Sequence, residues 1–241
     1  MLSWRLTRGF ATGLWQCRME GQARELSEAS GPIIVLASTS SVSLLNPLEV
    51  TRAPIGDGNF TCCRLGHRLP DDNGGFFTIP CDKHRVVPPV KAMIAAKLKA
   101  LRAEARLRPG GRARDEALEQ LRWLLARRSS LCHGLPGEDI GDFLPRRGEQ
   151  TMQAFLDEYG FSGVGDGHAT GLGPLRFAAA EGEAGLVQQL LRCGCPFDAR
   201  LKRPAPAIFH AKGCTALHTA AFFGHVQVCV ALDHSPPSTL R

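Results

Sequence analysis

Two stretches of this chain follow the same pattern at a constant offset of 42 residues. The first is Gly173–Gly182 and the second is Thr215–Gly224, and each contains a leucine, then a pair of alanines, then a glycine. The match continues beyond the glycine, where Leu190 corresponds to Leu232. Self-similarity at such a period is typical of repeat architectures, in which each unit buries one face on the next. This repeat constrains the fold more than any other feature of the sequence.

The pattern resembles the ankyrin repeat, whose units open with T-P-L-H-x-A-A, turn at a glycine between two helices and end with L-L-x-x-G. The second copy matches well, since Thr215–His225 spells T-A-L-H-T-A-A-F-F-G-H. The resemblance covers about residues 165–232. It implies that the alanine pairs let neighbouring helices approach closely and that Gly182 and Gly224 form the turns between helices. It also implies that His218 orients the start of its helix.

Several positions depart from the family pattern. The first copy has Gly173 and Arg176 where the pattern has threonine and histidine. Because the family period is about 33 residues, about nine extra residues must lie in the loop Arg200–Lys212. The second copy breaks off after Leu232, and an array needs at least three units to be stable. We therefore expect Thr151–Phe161 to act as a degenerate capping half-repeat, and the chain to be a fragment of a longer array.

The resemblance implies a non-catalytic protein that binds another protein as a scaffold or adaptor. In this family, recognition falls on the hairpin tips and on variable positions of the first helix. The partner-binding residues implied are Phe177, Glu181, Thr219, Phe222, Phe223, Arg200, Lys202 and Arg203. The adjacent Phe222 and Phe223 would form an aromatic anchor of the kind that dominates interfaces. The alternative is that these two rings pack against a following repeat.

The positive charge of the chain is concentrated in one segment. Residues 83–128 carry 13 basic and 4 acidic side chains, a net charge of +9. Within this segment the spacing predicts a helix from Pro89 to Arg108 and a second helix from Asp115 to Arg128. The apolar stripe of the first helix is Val90, Ile94, Leu98, Leu101 and Ala105. An alternative function is electrostatic binding of this basic hairpin to an acidic partner or a membrane surface. Nucleic acid is the weakest alternative, because no aromatic residues are interleaved for base stacking.

The N-terminal region is predicted to be largely irregular, with at most short strands such as Ile33–Leu36. Met1–Met19 contains three arginines and no acidic residue. Such a start is typical of organelle transit peptides, although an unstructured tail or a misplaced start codon is favoured over it. We expect a cytoplasmic protein, with organelle import as the alternative. Nine cysteines without a framework spacing fit a reducing compartment.

A group of potential zinc ligands lies between residues 62 and 84. Its members are Cys62, Cys63, His67, Cys81 and His84. Their spacing lacks the C-x2-C pair of common zinc sites, and the intervening segment is irregular. We therefore favour scattered thiols in a flexible segment over a zinc site, and expect neither a metal nor a cofactor.

The sequence as a whole predicts a mainly α protein. The predicted parts are an irregular region over 1–88, a basic helical hairpin over 89–128, a linker over 129–150, a short ankyrin-type solenoid over 151–235 and a tail over 236–241. No purely apolar run exceeds five residues, whereas a membrane-spanning helix needs about 20. We expect no transmembrane span, no enzyme activity and no small-molecule substrate. An alternative is a regulatory or adaptor fragment of a larger multidomain enzyme or of a longer ankyrin array.

Overall fold

A computed structural model describes much of the chain. The described residues are 5–6, 15–27, 33–38, 41–45, 54–107, 110–144, 148, 150–167, 169–204 and 211–233. They form two compact units, the first within residues 1–100 and 128–144 and the second within residues 101–127 and 145–241. The predicted tail and most of the predicted transit segment lie outside the described residues. So do residues 205–210 of the predicted insertion.

The first unit contains regular structure in the region that was predicted to be irregular. Strand β1 spans Arg5–Leu6, helix α1 spans Trp15–Leu26, and strands β2 and β3 span Ile33–Ser38 and Ser41–Leu45. β2 pairs in parallel with β1 and antiparallel with β3. The strand expected at Ile33 is therefore confirmed, while α1 was missed. A tertiary contact helps to hold α1, because the buried amide of Gln22 donates a hydrogen bond to the carbonyl oxygen of Leu131.

A small hairpin follows in the same unit. Helix α2 spans Thr61–Arg64, and strands β4 and β5 span Arg68–Pro70 and Phe76–Thr78. The two strands are antiparallel, with Arg68 opposite Thr78. At the turn, the carboxylate of Asp71 accepts hydrogen bonds from two backbone N–H groups, as aspartate commonly does in turns.

Two long helices connect the units along the chain. Helix α3 spans Asp82–Leu107 and contains Pro88 and Pro89, so the helix does not begin at Pro89 as predicted. Burial of Val86, Val87 and Val90 around the prolines offsets the backbone hydrogen bonds that the prolines cannot donate. All five residues of the predicted apolar stripe are buried.

Helix α4 spans Arg112–Leu131, three residues longer at each end than predicted. The short helix α5, Gly137–Ile140, lies in the predicted linker. Among the helices that the structure describes, none is both long enough and apolar enough to cross a bilayer.

The second unit holds the repeat. Helix α6 spans Met152–Tyr159, and helices α7 and α8 span Pro174–Glu181 and Ala184–Arg192. Helices α9 and α10 span Ala216–Phe222 and Val226–Asp233. α7 packs against α8 and α9, α10 packs against α9 and α8, and α6 contacts α8. The fold is thus mainly helical, and its C-terminal part contains two stacked helix pairs. The first pair is α7 with α8, and the second pair is α9 with α10. A longer solenoid stays a prediction.

Candidate functional site

The turn of the first helix pair lies directly against the second pair. Gly182 joins α7 to α8 with a φ of +86°, a left-handed conformation that glycine adopts without strain. The imidazole of His225 packs so closely that a Cβ at Gly182 would lie 2.7 Å from its Nδ1 atom. The Nε2 atom of His225 lies 2.9 Å from the carbonyl oxygen of Ala180. A hydrogen bond donated by Nε2–H therefore ties the second pair to the end of α7.

His218 fixes the start of α9, as the resemblance implies. Its Nδ1 atom accepts a hydrogen bond from the backbone N–H of Thr215 at 3.2 Å and lies 2.9 Å from the Thr215 hydroxyl. Together the two side chains form a capping box. The first pair lacks this cap because Gly173 begins α7 without a side chain. Arg176 stands at the position that corresponds to His218.

Arg176 joins the two helix pairs through a buried guanidinium. The side chain is 2% exposed and donates five hydrogen bonds. Its acceptors are the carbonyl oxygens of Gly171, Ala199, Cys214 and Thr215 and the hydroxyl of Thr219. Burial lowers the pKa of Arg176 to about 10, so the group stays protonated at neutral pH. The sequence signal for this buried contact is the arginine in place of the histidine of the repeat pattern.

Three of the implied partner-binding residues are buried, which corrects their assignment to a surface. Phe177 lies in an aromatic cluster, with ring centroids 4.6 Å from Trp123 and 5.9 Å from both Tyr159 and Phe161. Thr219 and Glu181 are also buried, and the Thr219 hydroxyl accepts a hydrogen bond from Arg176. Phe177, Glu181 and Thr219 are therefore buried in the second unit and are not exposed to a partner.

The second helix pair exposes apolar residues that the sequence interpretation did not identify. Leu217 on α9 is 38% exposed, and Val226 and Val230 on α10 are 68% and 46% exposed. Phe222 and Phe223 are half-buried, and their rings meet edge to face with centroids 5.1 Å apart. We refer to these five residues as the apolar surface of the second pair. A comparison with the first pair at the offset of 42 could have found Val230, whose counterpart Gln188 is polar.

Residues 212–235 match the ankyrin-repeat family model. The matched segment contains the capping box, α9 and α10, so the second helix pair matches a single partial ankyrin repeat, and we refer to this pair as the ankyrin repeat. Comparisons with curated proteins and with solved structures found no match to the chain. Ankyrin repeats are modules of protein–protein interaction, generally without enzymatic activity, and they bind on the surface formed by stacked units.

The loop between the first pair and the ankyrin repeat carries the three cations that were predicted to bind a partner. Arg200, Lys202 and Arg203 are exposed, but Arg203 forms an ion pair with Glu119 of α4. The base of the loop is closed by backbone hydrogen bonds that Leu201 makes with Cys214 and Gly213. The described ends of the insertion are therefore held together beside the ankyrin repeat.

Part of the basic segment is engaged within each unit. In the first unit, Nζ of Lys91 lies 2.7 Å from the carboxylate of Asp142. This contact holds the pKa of Asp142 below its ordinary value. In the second unit, Arg122 donates a hydrogen bond to the carbonyl oxygen of Tyr159, and its guanidinium lies 3.8 Å from the ring centroid of Phe161. The net charge of residues 83–128 therefore overstates the charge available to a partner.

Four of the five potential zinc ligands come together in the first unit. They are Cys62, Cys63, His67 and Cys81, and one ligand atom from each lies within 4.8 Å of the other three. His84 takes no part, because its Nδ1 atom lies 2.6 Å from Oδ2 of Asp139. The prediction of scattered thiols is therefore wrong for this cluster.

Proposed function

We propose that this chain is a scaffold or adaptor that binds another protein through the apolar surface of the second pair. The observation that carries the proposal is the difference between equivalent leucines. Leu175 on α7 is 3% exposed, whereas its counterpart Leu217 on α9 is 38% exposed. The ankyrin repeat therefore presents to solvent a position that is buried in the first pair.

The first pair also indicates what kind of partner fits. The helix α9, which packs on α7, buries Ala216, Thr219 and Ala220. Small side chains at these positions let two helices approach closely. A partner that covers the equivalent face of the ankyrin repeat would present a helix with small side chains, together with apolar residues that contact Val226 and Val230.

The charge distribution favours an apolar interface over an electrostatic one. Of the cations near the ankyrin repeat, Arg176 is buried and Arg203 is paired with Glu119. Arg200 and Lys202 are exposed, but they lie on the loop and not on α10. The exposed side chains of α10 include two valines. An apolar interface keeps most of its affinity when salt is added, whereas binding through phosphate contacts weakens steeply. We therefore expect the dissociation constant to change little with ionic strength.

The test begins with a photoreactive amino acid at position 230 of the full chain, which identifies the protein it contacts in an extract of the source cells. The purified contact protein is then titrated with wild-type chain and with the double variant Val226→Ser/Val230→Ser. We expect about tenfold weaker binding or more, because the two serines remove apolar surface that the interface would bury, at about 25 cal/mol per Å². Helix content by circular dichroism should not change, since both valines are exposed.

Two further variants complete the test. Gln188→Ala is the matched control, because Gln188 is the exposed counterpart of Val230 in the first pair, and it should leave binding unchanged. The double variant Phe222→Ala/Phe223→Ala should also weaken binding while the helices persist. A loss of fold instead would assign the rings to internal packing. Equal affinity of wild type and the valine variant contradicts the proposal, and so does self-association of the purified chain that the same variant abolishes.

A further inference from the structure

We propose that Cys62, Cys63, His67 and Cys81 bind a structural zinc ion. Three thiols and one imidazole are ligands that Zn²⁺ accepts in tetrahedral sites. Four protein ligands leave no open coordination position, which is the arrangement of structural and not of catalytic zinc. The site lies in the first unit and is independent of the ankyrin repeat.

The local backbone explains how residues so far apart in sequence converge. The single turn of α2 carries Cys62 and Cys63. The chain then reverses at His67, whose φ of +56° lies in the left-handed region that residues other than glycine rarely adopt. The backbone N–H of His67 bonds to the carbonyl oxygen of Cys62 at 2.8 Å, and the His67 carbonyl accepts from Ile79 at 2.8 Å. The hairpin β4–β5 therefore returns the chain to Cys81 beside α2.

The distances between the sulfur atoms match a tetrahedral site. The Sγ atom of Cys81 lies 3.9 Å from Sγ of Cys62 and 3.7 Å from Sγ of Cys63. With a Zn–S distance of about 2.3 Å, two sulfur atoms on a tetrahedron lie about 3.8 Å apart. The Cys81 thiol is therefore already at the separation from each of the other two thiols that a shared zinc ion requires.

Two further contacts fit metal-bound side chains. The backbone N–H of Asp82 donates to Sγ of Cys62 at 3.3 Å, and hydrogen bonds to ligand atoms orient and tune metal sites. The Nε2 atom of His67 is buried and has no hydrogen-bond partner among the described residues. A buried ring nitrogen without a partner is costly, and coordination of His67 to a metal is one way to remove that cost.

The hairpin also needs a cross-link because it lacks a core. Phe76 and Phe77 on β5 are 67% and 50% exposed, and Leu65 beside the cluster is 49% exposed. An isolated two-stranded hairpin is at best marginally stable in water. A zinc ion that joins α2, His67 and Cys81 would supply the missing stabilisation, since binding free energy at a structural zinc site contributes directly to folding.

The test measures metal in the full chain, purified under reducing conditions with zinc supplied. We expect about one zinc ion per chain by elemental mass spectrometry. Replacement of zinc by Co²⁺ should give the intense visible absorption and the thiolate charge-transfer bands of a tetrahedral Co²⁺ site with sulfur ligands. The variants Cys81→Ser and His67→Ala should each lower zinc affinity by about tenfold or more.

Matched controls keep the result specific. His84→Gln and Cys193→Ser should retain zinc, because His84 contacts Asp139 and Cys193 is an exposed thiol outside the cluster. Because the ligand variants can unfold the hairpin, the spectrum of the wild-type Co²⁺ complex decides independently. A pale spectrum typical of octahedral Co²⁺ in the wild-type complex overturns the proposal. So does a zinc content of the wild-type chain that equals the zinc content of Cys81→Ser. A disulfide between Cys81 and Cys62 or Cys63, found by counting alkylated thiols in unreduced protein, overturns it as well.

Discussion

The two helix pairs follow the same residue pattern but differ in what covers them. The structure buries every residue of α7, whereas α9 buries Ala216, Thr219 and Ala220. Both helices carry the alanine pair and end near a glycine with positive φ. The difference therefore does not come from the repeat pattern. It comes from the neighbours, because α7 lies between α9 and an aromatic cluster, while α9 packs on α7 along one face.

Within the part of the chain that the structure describes, the aromatic cluster is a neighbour of the first pair and not of the ankyrin repeat. Phe177 occupies the position that corresponds to Thr219. Trp123 from α4, together with Tyr159 and Phe161 at the end of α6, surrounds the Phe177 ring. The polypeptide that precedes the repeat thus covers the first pair. Phe177 and Thr219 are both buried, but Leu175 and Leu217 at another pair of equivalent positions are 3% and 38% exposed. Exposure at that position therefore depends on its place in the stack.

Among the substitutions considered, Phe177→Ala should cause the largest loss of folding free energy. Removing a fully buried aromatic ring from a packed core costs about 3–5 kcal/mol of folding free energy. The same change at the half-buried Phe222 should cost about 1 kcal/mol. Urea unfolding followed by circular dichroism measures both. Similar losses of stability for the two variants would mean that the two pairs are equally covered, which contradicts the difference between α7 and α9.

Arg176→Met should cause the next largest loss of folding free energy, because it removes the guanidinium that hydrogen-bonds to both helix pairs. Methionine keeps the volume but leaves buried carbonyl groups and the Thr219 hydroxyl without a donor. Losing a buried, hydrogen-bonded charged group of this kind costs about 3 kcal/mol. Arg192→Met is the control, since Arg192 is exposed in the last turn of α8 and should change stability by less than about 0.5 kcal/mol.

A lysine at position 176 separates the contribution of the positive charge to stability from the contribution of the guanidinium shape. Arg176→Lys keeps a cation but loses the planar fork that reaches several acceptors at once. It should recover only part of the lost stability. Full recovery would mean that the five hydrogen bonds of the guanidinium do not hold the pairs together.

Much of the repeat could be predicted from the sequence, because its signals are local. The turn glycines, the cap at His218 and the helix pairs all depend on residues within a single repeat, and the structure confirms them. The exposure of the candidate site could not be predicted in the same way. Phe177 is buried by Trp123, which lies more than fifty residues earlier, and no local pattern contains that contact.

The cysteine cluster was missed for a related reason. Common zinc signatures place two ligands on one short turn with a fixed gap. Here Cys62 and Cys63 are adjacent, and His67 enters the cluster through a left-handed backbone that the sequence does not reveal. The return of Cys81 depends on the strand register of the hairpin. The backbone conformation of His67 and the register of the hairpin belong to the tertiary structure. The spacing of the residues in the sequence does not contain them, and it therefore favoured scattered thiols.

The smallest effect that we expect is the difference in stability lost when either of the two turn glycines is replaced by alanine. Gly182 and Gly224 occupy equivalent positions. Gly224→Ala places a side chain at a φ of +75° in open space, and a left-handed residue costs about 1 kcal/mol. Gly182→Ala adds a clash with the His225 ring and should cost about 2 kcal/mol or more. Urea unfolding of both variants measures the difference. In a His225→Ala background the excess at Gly182 should disappear, because additivity fails for residues in contact and returns when the contact is removed. If the excess persists, the clash is not the cause, and the contact between His225 and Gly182 does not distinguish the two turns.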